Sequence, residues 1–146
     1  MMSRNKPWES YRKVATQTAT PGQLVLMLYD GAIAFLEKAL TGFSHTDPLL
    51  FNQTINNNIV RAQAIIHEMN ASLNMRQGAE AATNFRLLYN YLYRRLRDAN
   101  RGKKQEPIHE TLGHLRILRD SWAEMLRHGG ENHALEQNGE LTADAA

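Results

Sequence analysis

The chain has 146 residues, of which 42% are hydrophobic and 22% charged, and it contains no cysteine. This length suits one domain with a buried core, and the lack of cysteine excludes disulfide scaffolds and thiolate metal sites. We expect a cytoplasmic protein without membrane insertion, because no apolar run could span a bilayer and residues 1–9 lack the apolar segment of a secretory signal.

The net charge of +2 conceals an asymmetric distribution. Residues 1–128 carry all 17 basic side chains and 11 of the 15 acidic ones, a balance of +6. Residues 129–146 carry the other four acidic side chains, a balance of −4. This segment begins with two glycines and has few large apolar residues, so we expect residues 129–146 to be a disordered acidic tail.

The first predicted helix follows an N-terminal arm, residues 1–19. Thr20, Pro21 and Gln23 are typical of a helix start, because Thr20 and Gln23 can form a capping box and proline suits the first helical position. The predicted helix is apolar on most sides, which indicates a central position or a binding role. Its core stripe contains Leu24, Val25, Leu28, Gly31, Ala32, Phe35, Leu36 and Ala39. Outside that stripe lie Leu26, Met27, Tyr29, Ile33 and Leu40.

The second and third predicted helices each have boundary signals. The second begins with Pro48 after a cap at Asp47 and runs to about residue 74. The third covers about 79–101, with Gly102 as its C-terminal stop. The core seams of these two helices contain Ile55, Ile59, Ala62, Ile66, Met69 and Leu73, and then Ala82, Phe85, Tyr89, Leu92, Leu96 and Ala99.

The fourth predicted helix has Glu106 in the cap position and ends at Gly129-Gly130. Its seam contains Ile108, Leu112, Leu115, Arg119, Trp122 and Leu126. Alternating spacings of three and four, together with short connections, are typical of near-antiparallel packed helices. The sequence therefore predicts an all-α fold, an antiparallel four-helix bundle over residues 20–128.

Candidate metal and catalytic motifs are incomplete. A di-iron bundle needs two Glu-x-x-His pairs, whereas this chain has one, Glu106-x-x-His109. His109 and His114 are five residues apart, which places them on different sides of a helix. No phosphate loop or nucleophile elbow is present. We therefore expect no catalytic residues, no metal, no cofactor and no enzyme activity.

A basic cluster lies at the end of the third predicted helix. Cations near a helix C-terminus stabilise the helix, and we prefer this structural interpretation of the cluster. Nucleic-acid binding and docking of an acidic partner are alternatives that would need the same charges. The cluster wraps around the helix instead of forming one stripe. Its members are Arg94, Arg95, Arg97, Arg101, Lys103 and Lys104.

The outer face of the second predicted helix contains no charged residue when its histidine is neutral. Solvated helix faces usually carry Glu and Lys pairs, which this face lacks. Asparagine is a poor helix former, so these amides lower the stability of the helix, and binding of a partner would explain why they are present. Amides and small apolar residues suit an incoming helix or extended chain, and a homodimer seam is the alternative. The face contains Gln53, Asn56, Asn57, Val60, Gln63, Ala64, His67, Asn70, Ala71 and Asn74.

Several short motifs follow one another along the chain. They are Tyr11-x-x-Val14-x-Thr16-x-Thr18-Ala19-Thr20-Pro21, Leu28-Tyr29-Asp30-Gly31-Ala32-Ile33 with Phe35-Leu36, Ala62-Gln63-x-Ile65-Ile66-x-Glu68, and Leu88-Tyr89-x-Tyr91 through Arg94-Arg95-Leu96 to Ala99-Asn100. Together they resemble the flagellin export chaperones of the FliS family. The resemblance covers about residues 11–122. Each motif alone is weak, whereas their order and spacing together are specific.

The resemblance implies a cytoplasmic export chaperone that holds the disordered C-terminal segment of flagellin, prevents premature polymerisation and keeps it competent for type III export. It also implies that the arm covers the client site as a lid. An export-gate component is a further candidate partner, and we expect a monomer or weak homodimer when free, with no nucleic acid bound. A dimerisation or regulatory module and a basic nucleic-acid-binding bundle stay open as alternatives. The candidate flagellin-binding residues are Tyr11, Asn56, Asn57, Val60, Gln63, Ala64, His67 and Ala71.

Overall fold

The computed structural model describes residues 19–73 and 78–135, with side chains through residue 129. Four α-helices follow one another in this part of the chain, and a 3-10 turn, Gly42–Ser44, comes after the first. No strand occurs in the described residues, so the predicted all-α class and the four-helix architecture are confirmed. The helices are α1 (Pro21–Thr41), α2 (Pro48–Ala71), α3 (Ala79–Gly102) and α4 (Glu106–Leu135).

The chain divides into two compact units. The larger unit, Met27–Leu118, contains α2 and α3 with parts of α1 and α4, and it is a four-helix bundle. The smaller unit consists of Met1–Leu26 and Arg119–Ala146, of which the structure describes 19–26 and 119–135.

The core of the larger unit follows the alternating spacing of the sequence. All six residues of the seam predicted for the second helix are buried, as are five of the six predicted for the third, with Phe85 half-buried. Residues three and four apart share one helix face, so each seam presents one continuous apolar side to the core. The largest fully buried apolar side chains are Leu36, Ile55, Ile59, Ile66, Leu92, Leu96, Ile108, Leu112 and Leu115.

Tyr29 also belongs to this core, although the sequence pattern places it outside the core stripe of α1. Its side chain is only 4% exposed, and its hydroxyl lies 2.7 Å from the hydroxyl of Tyr89 on α3. Each phenol gives the other a hydrogen-bond partner, which lowers the cost of burying two polar groups. The prediction was wrong because the partner comes from another helix.

The smaller unit contains the capping box at the start of α1. The Thr20 amide donates to Gln23 Oε1 at 3.1 Å, and the Gln23 amide donates to Thr20 Oγ1 at 3.2 Å, as predicted. In the same unit, Trp122 Nε1 donates to the Gly22 carbonyl oxygen at 2.8 Å. A β-carbon on Gly22 would lie 2.6 Å from Leu126 Cδ2, so a glycine allows this close approach.

The start of α2 matches its prediction and its end comes slightly earlier. Asp47 accepts a hydrogen bond from the Leu49 amide at 3.1 Å, which confirms the predicted cap. The helix ends at Ala71, with Ser72 as its C-cap, whereas the prediction extended to about residue 74.

The ends of α3 and α4 differ from the sequence prediction. Gly102 is the last residue of α3, and Lys103 takes the left-handed conformation with φ of 49°. Lys103 Nζ donates to the carbonyl oxygen of Asn100 at 2.8 Å and to its Oδ1 at 2.6 Å, bonds that offset the strain of a positive φ. Glu106 is the first residue of α4, whose first amides bond to the Gln105 carbonyl oxygen.

The glycine pair Gly129-Gly130 does not end α4, because the helix continues to Leu135. Glycine lowers helix stability by about 1 kcal/mol relative to alanine but keeps its amide, so the backbone hydrogen bonds can continue through it. The tail prediction for 129–146 is therefore wrong for 129–135, and residues 136–146 lie outside the described part of the chain.

Two glycines of the larger unit lead to opposite predictions for the same substitution. A β-carbon on Gly42 would lie 2.9 Å from Ile55 Cγ1 and 3.0 Å from Thr54 Cβ, so Gly42→Ala should lower the free energy of unfolding by roughly 1–3 kcal/mol. A β-carbon on Gly113 would meet no atom within 4 Å, so Gly113→Ala should raise it by about 0.5–1 kcal/mol. Urea denaturation of both variants tests the pair, and equal effects would contradict the packing of Gly42 against α2.

Candidate polypeptide-binding surface

The face of α2 that lies opposite its core seam is uncharged and open. Its members recur at spacings of four and three, a pattern that places them on one side of the helix. Asn57 is half-buried and the other five are exposed, with 47% of Val60 accessible. We call these six residues the α2 outer face: Gln53, Asn57, Val60, Ala64, His67 and Ala71.

The two charged residues of α2 lie away from this face. Arg61 and Glu68 are half-buried, and the Arg61 guanidinium lies 5.9 Å from the ring centroid of Phe35 on α1. Arg61 therefore faces the neighbouring helix. The α2 outer face extends from Gln53 to Ala71, a distance of about 27 Å along the helix axis.

Three amide side chains of α2, spaced seven residues apart, bind α3 instead of pointing to solvent. We call these bonds the amide ladder. Asn56 Oδ1 accepts from Asn100 Nδ2 at 2.8 Å, Gln63 Nε2 donates to the Tyr93 carbonyl oxygen at 3.2 Å, and Asn70 Nδ2 donates to Asn90 Oδ1 at 2.9 Å. The partner numbers on α3 fall as those on α2 rise, so the two helices are antiparallel.

The amide ladder changes the interpretation of the predicted site residues. Asn56 and Gln63 lie at the border with α3, where their amide groups already have partners, whereas Asn57, Val60, Ala64, His67 and Ala71 lie together on the α2 outer face. Because a spacing of seven follows the line of contact between two packed helices, the amides have a structural reason to be there. The structure thus narrows the predicted site on α2 to these five residues.

The loop after α3 is tied to the same ladder. Asn100, which donates to Asn56, also accepts from the ammonium group of Lys103 through two oxygens. Burial lowers the pKa of Lys103 below its ordinary value. The end of α3 is therefore anchored to α2 by a continuous chain of three side chains.

A second polar cluster joins α3 to α4. Glu110 accepts from the Tyr91 hydroxyl at 2.5 Å and from Arg95 Nε at 2.8 Å. These two hydrogen bonds lower the pKa of Glu110, and the bond to Glu110 raises the pKa of Tyr91. The Glu110 carboxylate therefore joins α4 to α3. It also pairs with Arg95, one of the six cations of the basic cluster.

Exposed apolar side chains on α3 and α4 were missed by the sequence analysis. Leu87 is 63% exposed and Ile117 is 67% exposed. Both lie off the core seams of their helices, which is the sequence feature that could have identified them. They are further places where an apolar partner could make contact.

Some predicted residues lie outside the described part of the chain. Tyr11 and the rest of the arm through residue 18 are among them, and so is Asn74. Among the described residues, no group of three or more His, Asp or Glu side chains is arranged to hold a metal ion. None of the helices in these residues is long and apolar enough to cross a membrane.

Comparison with known proteins gives consistent matches over most of the chain. The family model described as flagellar protein FliS matches residues 4–129. The flagellar secretion chaperone FliS of Bacillus subtilis is 33% identical over 126 residues, which cover 86% of this chain and 90% of that protein. The protein of the same name from Salmonella typhimurium is 32% identical over 111 residues, 76% of this chain and 80% of that protein. Both relatives are named as chaperones, in agreement with the prediction that the chain is not an enzyme.

The Glu110 cluster predicts a pH dependence of stability. Because the pKa of Glu110 is lowered in the folded state, its contribution is present above the ordinary glutamate range and is lost as the pH falls through the lowered value. The difference in unfolding free energy between the wild type and Glu110→Gln should be largest near neutral pH and shrink as the pH falls below the ordinary glutamate range. Urea denaturation of both proteins at several pH values measures this difference in unfolding free energy.

Two further variants control this experiment. Tyr91→Phe removes one of the two bonds to Glu110 and should give an intermediate effect. Glu37→Gln removes an exposed pair with Arg116 and should have a small effect at neutral pH, since exposed pairs contribute about 0–1 kcal/mol. A pH-independent cost of Glu110→Gln would contradict the assignment.

Proposed function

Because the chain belongs to the FliS family of flagellar proteins, we propose that it is a cytoplasmic export chaperone for flagellin. In this proposal it binds the disordered C-terminal segment of flagellin, prevents premature polymerisation and keeps the subunit competent for type III export. The observation that carries the proposal is the α2 outer face, an exposed helix face without any charged residue.

The chemistry of the α2 outer face suits a polypeptide client. Val60, Ala64 and Ala71 leave room for apolar side chains of a partner, because two of the three are alanines. Gln53 and Asn57 supply donors and acceptors for backbone groups of a client. Folding of a disordered segment on its partner typically buries about 1,000–3,000 Å², so the client must contact more than this face. The exposed Leu87 and Ile117 are candidates for additional contacts.

The amide ladder supports a preformed surface. It holds α2 against α3 through three bonds along the helix pair, so the α2 outer face does not depend on the client for its shape. A preformed surface has less conformational entropy to lose on binding, which favours affinity for a client that must itself become ordered. No nucleotide is required, because binding alone accomplishes the function.

The proposed function includes two further contacts, one made by the N-terminal arm and one with the export gate. The arm, with Tyr11, acts as a lid that covers the client site in the free protein and leaves it when the client binds. A component of the export gate is a second partner that receives the loaded chaperone. Amide exchange of residues 1–19 with and without the flagellin segment tests the lid, and equal protection in both states would contradict it.

Homodimerisation is a second candidate role for the same face. The alternating spacings of four and three on the α2 outer face are those of a helix that packs against another helix. A second copy of the chain could supply that helix. Sedimentation equilibrium with and without the flagellin segment separates the two roles, because a client that uses this face should dissociate such a dimer.

The proposal predicts that charge on the α2 outer face abolishes client binding. Val60→Glu with Ala64→Glu places two carboxylates there without touching the seam residues Ile59 and Ala62. Glutamate is a good helix former, so stability should change by only about ±0.5 kcal/mol per site. Affinity for the flagellin segment should fall more than about a hundredfold, because an unpaired charge in an interface costs several kcal/mol. Titration calorimetry measures the affinity, and circular dichroism checks the fold.

A matched control adds the same two charges elsewhere. Asn84→Glu with His109→Glu changes exposed positions on α3 and α4 and should leave the affinity nearly unchanged. If the folded α2 variant binds as well as the control, the client uses another surface of the chain.

A further inference from the structure

Five of the six cations of the basic cluster separate into two groups in the structure, and the sixth, Lys104, is exposed beyond the end of α3. Arg95 is bound to Glu110, and Lys103 is bound to Asn100. The other three arginines of the cluster recur at spacings of three and four along α3, so they share one helix face, and all three are exposed. We call them the arginine stripe: Arg94, Arg97 and Arg101. The six cations do not form a single stripe, as the sequence indicated, but these three arginines form one within the cluster.

The arginine stripe has little internal neutralisation. Arg97 Nε lies 3.9 Å from Asp98 Oδ1, an exposed and weak pair. Among the residues that the structure describes, Arg94 and Arg101 have no acidic partner within 4 Å. Three guanidinium groups thus project from about 10 Å of helix with most of their charge available.

The stripe borders the α2 outer face. The bonds of Gln63 to Tyr93 and of Asn56 to Asn100 place this part of α3 beside residues 56–63 of α2. The side chain of Tyr93 is 41% exposed at this border. A partner that lies on Val60 and Ala64 therefore meets a cationic edge on the α3 side.

We propose that the arginine stripe binds the carboxylate groups of the polypeptide that occupies the α2 outer face. This inference rests on the proposed function and adds to it the chemistry of the client segment. The segment is amphipathic, with small apolar and amide side chains on one side and Asp or Glu side chains along the adjacent edge. Guanidinium groups bind carboxylates through two parallel hydrogen bonds, which fixes register as well as adding affinity.

The surroundings of the stripe favour a peptide over a nucleic acid. Duplex DNA carries a negative charge for about every 1.7 Å of its axis, and its affinity comes from many phosphate contacts. The stripe offers only three arginines, and it is bordered by the uncharged α2 face on one side and by Asp98 and Glu110 on the other. A short acidic edge next to an apolar strip matches this pattern better than a continuous phosphate backbone.

The test is titration calorimetry of a triple variant, Arg94→Gln, Arg97→Gln and Arg101→Gln. The probe is the C-terminal segment of flagellin from the same organism, in its natural form and with every Asp and Glu replaced by Asn and Gln. The natural segment should bind the triple variant roughly 10- to 100-fold more weakly than the wild type, a loss that shrinks at high salt. The segment without carboxylates should bind both proteins with the same affinity.

A second triple variant controls for net charge. Lys38→Gln, Arg116→Gln and Arg127→Gln remove the same number of exposed cations from other places and should change the affinity less than about threefold. Thermal unfolding checks that both variants are folded. The comparison of the two segments on the wild type does not depend on any variant, so the inference stays testable if the triple variant is unstable.

The possible failures are distinguishable. If the natural segment does not bind the wild type, the proposed function is wrong and the inference falls with it. If the segment binds the stripe variant as tightly as the control variant, the inference alone is wrong. A single-stranded oligonucleotide is titrated in parallel, and loss of oligonucleotide binding in the stripe variant with unchanged flagellin affinity would assign the stripe to nucleic acid instead.

Discussion

The antiparallel contact between α2 and α3 is the constraint on which the surface of this protein depends. Its apolar seam buries one side of each helix, and the amide ladder adds three directional bonds along the border. Apolar packing alone tolerates small shifts of register, whereas hydrogen bonds do so much less because they weaken steeply with angle and distance. The ladder therefore fixes which residues of α2 face solvent, and with them the α2 outer face and the arginine stripe.

Features that depend on one helix were predictable from the sequence. The seam from Ile55 to Leu73 and the cap at Asp47 follow from spacing and from local hydrogen bonds, and both are confirmed. The exact helix ends were harder to predict, because side-chain contacts at an end and the backbone hydrogen bonds that glycine retains outweighed the usual residue preferences. Lys103 takes the left-handed position beside Gly102 with the help of Asn100, and α4 continues through Gly129-Gly130 despite two poor helix formers.

Features that depend on two helices were not predictable from spacing. The spacing in α1 places Tyr29 outside the core stripe, whereas its side chain is buried, with its hydroxyl bonded to that of Tyr89 on α3. Likewise, the sequence marked the amides of α2 as unusual, but a single helix pattern cannot separate those that bind α3 from those that remain available. The bonds of Asn56 and Gln63 to α3 follow from the register between the two helices, which the sequence of α2 alone does not contain. Val60 and Ala64 are exposed, as the pattern of α2 indicated.

An uncharged strip of about 27 Å offers the same apolar contacts to a second copy of the chain as to a client. In the proposed client contact, the arginine stripe is what distinguishes these two partners. When two copies approach through their α2 outer faces, three guanidinium groups of each copy are brought near those of the other, and like charges that lose solvent repel. A client with carboxylates along one edge experiences the opposite effect, because the same charges attract it from solution. The stripe thereby discriminates between two partners that the apolar contacts alone would treat alike, and it does so through a cost for the wrong partner as well as a gain for the right one.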